Sequence, residues 1–298
     1  MFRHGDRAQI SRSLSPQYQE SDHITNKWRN ALPSERTLMR MLNSARMMSD
    51  DSSAQPLSST FIPSLNNCDG DEDGNSNRGL NSHLHSLLYN GEDVEKAPYA
   101  QLTELGSWQL MTAGQQLRRR YTAAFQLDQQ QHSLSDLIYC RSTNMCRTIQ
   151  SLRSLLYGLF VTDAADDAEE LQQQQQQQQQ QGKPTASLPA IAVRPIKEET
   201  LFPVFDGSCS AMIHRRSVIY PPTLMAERIA DYAAFDQRMR TLLGFPTHEE
   251  KINWLNVKEI LTCHEVHNIS WVQGVTAQDV DKVTEITGWS WGVLYKVR

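Results

Sequence analysis

A histidine between two arginines opens the chain, in Met1-Phe2-Arg3-His4-Gly5-Asp6-Arg7. A neutral imidazole nitrogen is a nucleophile. Guanidinium groups are planar forks whose N–H donors match phosphate oxygens. Gly5 carries no Cβ and lets backbone approach a ligand closely. Taken alone, these residues also fit a frayed basic terminus, where disorder concentrates. A second stretch far downstream, Ile138-Tyr139-Cys140-Arg141-Ser142-Thr143-Asn144, supplies another arginine where the pattern changes from strand to helix. A guanidinium beyond a strand, beside the amides of a helix N-terminus, suits an anion. Together the two stretches offer a nucleophile and several anion-holding groups.

The elements that must position them are read from periodicity. Residues 101–125 predict a helix, with Thr103 as N-cap and Leu110, Ala113 or Gly114, Leu117, Tyr121 and Ala124 as one apolar stripe. Arg118, Arg119 and Arg120 suit the helix dipole near its end, and solvated charge plus one structural ion pair is preferred there to an anion patch. Residues 136–141 read as a buried strand centred on Ile138-Tyr139-Cys140 and ending at Arg141. Ser142 or Thr143 is then expected to cap a helix whose apolar residues are Met145, Ile149, Leu152, Leu156 and Leu159, with Arg147 structural one turn inside. Residues 191–206 read as a strand and an extended return, and residues 34–48 as a helix with Leu38, Met41, Leu42 and Ala45 on one face. Further helices are expected over 223–243, stopped by Gly244 and Pro246, and over 254–270, carrying His264 and His267. Thr276 to Asp279 has the form of a capping box opening a helix to about Ile286, and the aromatic segment 288–295 is expected to pack on a cap surface.

These stretches resemble the histidine acid phosphatase family, branch 2 of the histidine phosphatase superfamily. Arg3-His4-Gly5-Asp6-Arg7-Ala8-Gln9 matches its Arg-His-Gly-x-Arg-x-Pro motif without the proline, and Arg141-Ser142-Thr143 matches its Arg-Ser-Thr segment. Between them, Gln101-Leu102-Thr103-Glu104-Leu105-Gly106 and Leu117-Arg118-Arg119-Arg120-Tyr121 look like its Gln-Leu-Thr-x-x-Gly helix ending in Leu-Arg-x-x-Tyr. Ser142-Thr143-Asn144 and the later Leu255-Asn256-Val257 and His267-Asn268 look most like the lysophosphatidic acid phosphatase branch. The resemblance implies an α/β fold, with a histidine-phosphatase-like sheet core flanked by helices and an inserted helical cap. It implies His4 as a nucleophile that forms a phosphohistidine, and Arg3, Arg7 and Arg141 as the groups holding the phosphate oxygens. No cofactor and no metal are implied.

Bulk properties bound the alternatives. A chain of 298 residues buries a large core. A net charge of −5, with pI near 6.0, argues against a general nucleic-acid binder. No segment reaches the apolar length that spans a bilayer, and no signal peptide precedes Arg3. Cys68, Cys140, Cys146, Cys209 and Cys263 form no Cys-x-x-Cys pair and read as buried thiols, although relatives are often secreted or lumenal. Residues 49–81 are rich in Ser, Asn, Asp and Gly, and a solvated disordered loop is a better reading of Asp69 to Asn75 than a calcium loop without its glutamate. Residues 163–190 carry ten glutamines, Gln172 to Gln181, and also read as a disordered insert.

The expected organisation is an α/β catalytic core over 1–206, interrupted by both inserts, and a helical cap region over 207–298. The family's strand ahead of Arg-His-Gly is missing, and so is its His-Asp motif, whose aspartate protonates the leaving oxygen. His248-Glu249 and His264-Glu265 come closest, in predicted cap helices. The chain is therefore expected to be truncated at both ends, with an incomplete core and a mis-called start. Two functions stay open. One is an acid phosphatase acting on phosphate monoesters, lysophosphatidic acid among them. The other is a catalytically impaired relative that binds phosphate or phospholipid. A polyglutamine interaction scaffold is the least supported reading, and a phosphoglycerate mutase is disfavoured by the Arg-Ser-Thr-Asn helix. Compartment and oligomeric state are not legible.

Overall fold

Three short strands, all parallel, carry the second arginine stretch. The structure is a computed structural model, and it describes residues 4–12, 14–15, 21–42, 44, 46–49, 98–125, 138–160, 189–195, 198–199, 230, 232–245 and 252–295. β1 (Arg46–Ser49) and β2 (Cys140–Ser142) flank β3 (Ala190–Val193) in the order β1-β3-β2. Met47 lies opposite Ile191 on one side, and Cys140 and Arg141 lie opposite Ile191 and Ala192 on the other. Parallel neighbours need crossover connections. Helix α3 (Glu104–Phe125) lies between β1 and β2 in sequence, and α4 (Cys146–Phe160) lies between β2 and β3. The architecture is mixed α/β, as the sequence predicts.

The described residues divide into two compact units. One holds those of Met1–Arg7, Ala31–Asp93 and Leu102–Leu201, and the other those of Ala8–Asn30, Val94–Gln101 and Phe202–Arg298. The division is not a single cut along the chain.

In the first unit α3 and α4 cross with their backbones in contact. A Cβ on Gly114 would strike the Leu155 carbonyl, and one on Gly158 would strike the Met111 carbonyl. Around this crossing, Leu110, Cys140, Leu152, Leu155, Leu156 and Ile191 form a buried apolar cluster. α2 (Glu35–Leu42) joins it through Arg40, whose guanidinium lies 5.3 Å from the Trp108 ring and 5.6 Å from the Tyr157 ring. Glu104 ties the start of α3 to the start of α2, accepting from Ser34 N–H at 2.7 Å and Thr37 Oγ1 at 2.7 Å. Of the three arginines near the end of α3, Arg118 donates to the carbonyls of Phe160 (3.1 Å) and Leu159 (3.4 Å). It satisfies the last carbonyls of α4, where a cation also opposes the dipole.

Four expectations need correction here. Residues 34–48 are not one helix: α2 stops at Leu42, and 46–49 form β1. Ser44 takes the Met41 carbonyl through both its N–H (3.2 Å) and its hydroxyl (2.6 Å), which closes the helix before the strand begins. The strand before the second helix is Cys140–Ser142, so Arg141 lies inside it and Tyr139 is 69% exposed rather than buried. Neither Ser142 nor Thr143 caps α4, because the helix begins at Cys146 and the Met145 carbonyl accepts from Thr148 N–H and Ile149 N–H. On α3 the expected stripe holds at Leu110 and Gly114, which are buried, but Leu117 is 38% exposed and Ser107 and Met111 are buried as well, because the helix turns its glycine face to α4.

The second unit is helical. α5 (Ala233–Leu243), α6 (Trp254–Val266) and α7 (Ala277–Tyr295) surround Met239, Leu243, Val257, Ile260, Leu261 and Val283. Gly244, at φ 71°, ends α5 in the left-handed conformation that favours glycine. α6 is shorter than predicted: His267 is its C-cap and Asn268 turns the chain at φ 52°. Thr276 and Asp279 form the predicted capping box, with Asp279 Oδ2 accepting from Thr276 N–H at 2.8 Å and Asp279 N–H donating to Thr276 Oγ1 at 3.3 Å. α7 then runs through the aromatic segment to Tyr295 instead of stopping near Ile286. The sequence reading missed α1 (Asp22–Asn30), whose Trp28 is fully buried with the His267 ring edge-on at 4.9 Å.

The expected disordered insert from residue 50 onward, the glutamine tract to residue 188, the extended return beyond 200, the helix over 223–229 and the stop at Pro246 lie outside the described residues. None of the described helices is long and apolar enough to cross a membrane.

Candidate functional site

The segment carrying His4 is held along its length by backbone. Arg7 forms an antiparallel bridge with Leu102, and Thr103 N–H donates to the Asp6 carbonyl at 3.1 Å. Asp6 N–H donates to Gln109 Oε1 at 3.0 Å. Thr103 is the N-cap that the sequence predicts, since its Oγ1 accepts from Gly106 N–H at 3.1 Å. The same hydroxyl donates to the Asp6 carboxylate at 2.5 Å, so one side chain both starts α3 and fastens the histidine segment to it. Gly5 and Gly106 are in direct backbone contact. On the other side, Gly5 N–H donates to Ser151 Oγ at 3.1 Å, and that hydroxyl donates in turn to the Arg147 carbonyl at 2.7 Å inside α4.

This fixing sets the state of the imidazole. His4 Nδ1 lies 2.7 Å from the Gly5 carbonyl, which can only accept, so Nδ1 carries the proton of the neutral ring. Nε2 is then the basic nitrogen. Arg7 Nε–H points at it from 3.4 Å, and the Arg7 side chain is part of a largely buried residue. A half-buried imidazole with a defined basic nitrogen beside a guanidinium can accept a phosphoryl group and meet its charge.

Of the four residues singled out in the sequence, the structure brings His4 and Arg7 together. It places Arg141 inside β2, with Nη2 donating to Glu199 Oε1 at 3.2 Å. Arg3 lies outside the described residues. Arg147, read as structural, donates to Met145 Sδ at 2.9 Å. Sequence reasoning did not single out Ser151, Gln109 or Glu199. A serine inside a helix and a glutamate after a strand carry no motif, and their partners are far away in the chain. Arg153 is also new: burial on α4 lowers its pKa to about 10, and Nη1 reaches the Met41 carbonyl at 3.5 Å.

The nearest candidates for a missing acid pair differ in what can be said of them. His248 lies outside the described residues. His264 is buried in the second unit, 6.3 Å from the Trp28 ring, with Nδ1 3.3 Å from the Ser270 carbonyl. Cys140 is buried, which raises its pKa, whereas Cys146 and Cys263 are half-buried instead of buried as expected. Among the described residues no group of His, Cys, Asp and Glu is arranged to hold a metal ion.

Comparison with known proteins extends this picture. The family profile described as the histidine phosphatase superfamily (branch 2) matches residues 1–192. A lysosomal acid phosphatase of Xenopus laevis is 26% identical over 215 residues, covering 69% of this chain and 44% of the relative. A prostatic acid phosphatase of Bos taurus is 24% identical over 199 residues, covering 67% of this chain and 47% of the relative. The chain thus spans about half the length of the curated relatives it matches.

Proposed function

The chain belongs to the histidine phosphatase superfamily (branch 2), and on that premise we propose that it hydrolyses phosphate monoesters through a phosphohistidine on His4. The observation that carries the reading is the imidazole itself, with Nδ1 on the Gly5 carbonyl and Nε2 facing Arg7. In this reading the Arg7 N–H shifts from Nε2 to a phosphate oxygen, the freed Nε2 lone pair attacks phosphorus, and the ester oxygen leaves with its electron pair and takes a proton from water. Water then attacks phosphorus, the N–P bond breaks, and inorganic phosphate departs. Arg3, Arg7 and Arg141 hold the non-bridging oxygens. Loss of any one of them is expected to cost on the order of 10²–10³ in rate.

Acid phosphatases among the similar proteins support phosphate monoesters as the substrate class. The finer proposal, a lysophospholipid phosphate, is supported by Ser142-Thr143-Asn144 and Leu255-Asn256-Val257, which look most like the lysophosphatidic acid phosphatase branch. A second reading, phosphate binding without turnover, is favoured by the lack of a His-Asp pair in the sequence; of the nearest substitute, His264-Glu265, the histidine is buried, with Nδ1 3.3 Å from the Ser270 carbonyl.

The deciding experiment compares aryl phosphate hydrolysis by this chain and by His4→Ala between about pH 4 and 7, after circular dichroism has established that both fold. The phosphatase reading expects a loss on the order of 10³-fold or more, together with an acid-labile phosphoryl group trapped on the unsubstituted chain alone. Phosphate binding by a folded chain with no turnover supports the second reading.

A further inference from the structure

The segment after β3 brings an acid onto the arginine of the second stretch. Arg141 sits in β2 opposite Ala192, and Glu199 follows β3 closely in sequence. Glu199 Oε1 accepts from Arg141 Nη2 at 3.2 Å, with the glutamate side chain 2% exposed and the arginine side chain 16% exposed. A carboxylate so deep needs a charged partner. A guanidinium holds five N–H donors in one plane, so an acidic acceptor at Nη2 turns that plane towards itself.

We infer that Glu199 is a positioning residue for Arg141. It orients the guanidinium, and its negative charge sets how strongly that arginine draws a phosphate. The inference rests on the reading of Arg141 as a phosphate contact. Its two effects oppose each other: the hold favours productive geometry, and the charge weakens attraction for an anion. Glu199→Gln separates them, because it keeps the shape and a carbonyl acceptor while removing the charge.

The test measures binding of inorganic phosphate by calorimetry alongside aryl phosphate kinetics. Glu199→Gln is expected to bind phosphate about three- to tenfold more tightly, with KM falling in parallel. Glu199→Ala, which also removes the hold, is expected to lose about tenfold in kcat. Glu199→Gln on an Arg141→Ala background is expected to gain no affinity over Arg141→Ala alone. Equal phosphate affinity in the unsubstituted chain and folded Glu199→Gln overturns the inference. Where substitutions of Glu199 prevent folding, the unsubstituted chain still decides. Its Arg141 Nη resonances are expected to be split by slow rotation and to move on adding phosphate. Phosphate binding with Nη resonances averaged by rotation overturns the role of Glu199 alone, whereas absence of phosphate binding overturns the phosphate reading and this inference with it.

Discussion

Gly5 and Gly106 meet backbone to backbone. A Cβ on Gly5 would fall on the Gly106 carbonyl, and a Cβ on Gly106 would fall on the Asp6 carbonyl. The histidine segment is therefore seated on the first turn of α3 through two positions where no side chain fits. Gly106→Ala is expected to push the segment off its seat, at a cost of about 1–3 kcal/mol in stability. Turnover should fall further than stability explains, because a displaced nucleophile loses its near-attack geometry. Thermal unfolding and aryl phosphate kinetics on the same preparation check this. Unchanged turnover in a folded variant would show that His4 does not depend on the seat.

Ser151 fastens the same segment from the α4 side. Its hydroxyl accepts from Gly5 N–H and donates to the Arg147 carbonyl. Ser151→Ala leaves the Gly5 N–H, which is buried, without that acceptor. The expected cost is about 1–3 kcal/mol, read from the denaturant midpoint, with a drop in kcat larger than any change in KM. Equal losses in Ser154→Ala, whose hydroxyl donates to the Gln150 carbonyl in its own helix, would remove the special role of Ser151.

How much of this was legible in the sequence follows from the range of each interaction. Thr103 as N-cap, the Thr276–Asp279 capping box and the Gly244 stop were read correctly, because each depends on residues a few positions apart. The long helix through 104–125 and the α/β character were also legible, from periodicity. Arg46 to Met48 was misread as helix, and Ser49 as the start of a loop, because their strand pairing is with Ala190 to Val193, far along the chain. α1 was missed because its nine residues offer few apolar positions, and the one that matters, Trp28, is buried by partners from distant segments. In the site, the motif residues were visible as types. Ser151, Gln109 and Glu199 were not, since only tertiary contact gives them a role.

The glycines of the helices split into two kinds, and substitution should tell them apart. Gly158 lies where α4 touches α3, with Met111 backbone in the space of its missing Cβ, whereas Gly288 in α7 has nothing within 4 Å. Gly158→Ala is expected to destabilise by about 1–3 kcal/mol, because two helix backbones must move apart. Gly288→Ala is expected to stabilise by about 0.5–1 kcal/mol, because it removes the entropic cost of a glycine inside a helix. Denaturant midpoints of the two variants should move in opposite directions, and a shared sign would contradict the packing described.

Asp279 gives the helical unit a dependence on acid. Its carboxyl is held at about 2, first by hydrogen bonds from Arg238 and then by the Thr276 cap, against burial, which pushes it up. Arg238 Nε and Nη2 reach Oδ1 and Oδ2, each at 3.1 Å. In an unfolded chain the carboxyl titrates near its ordinary value of about 3.9. The folded value lies below the unfolded one, so the unfolded chain binds the proton first as pH falls. The stabilisation is therefore fully present above about pH 4 and is lost as pH drops towards 2. The Arg238 side chain is 48% exposed, so solvent screens its part of the pair and the cap supplies the rest. Asp279→Asn is expected to cost on the order of 1 kcal/mol at neutral pH. That difference from the unsubstituted chain should shrink steeply as pH falls towards 2 and vanish only below it, where both side chains are neutral. Urea unfolding at both pH values, followed by helical circular dichroism, measures it. A constant difference across that range would mean that Asp279 acts by shape and not by charge.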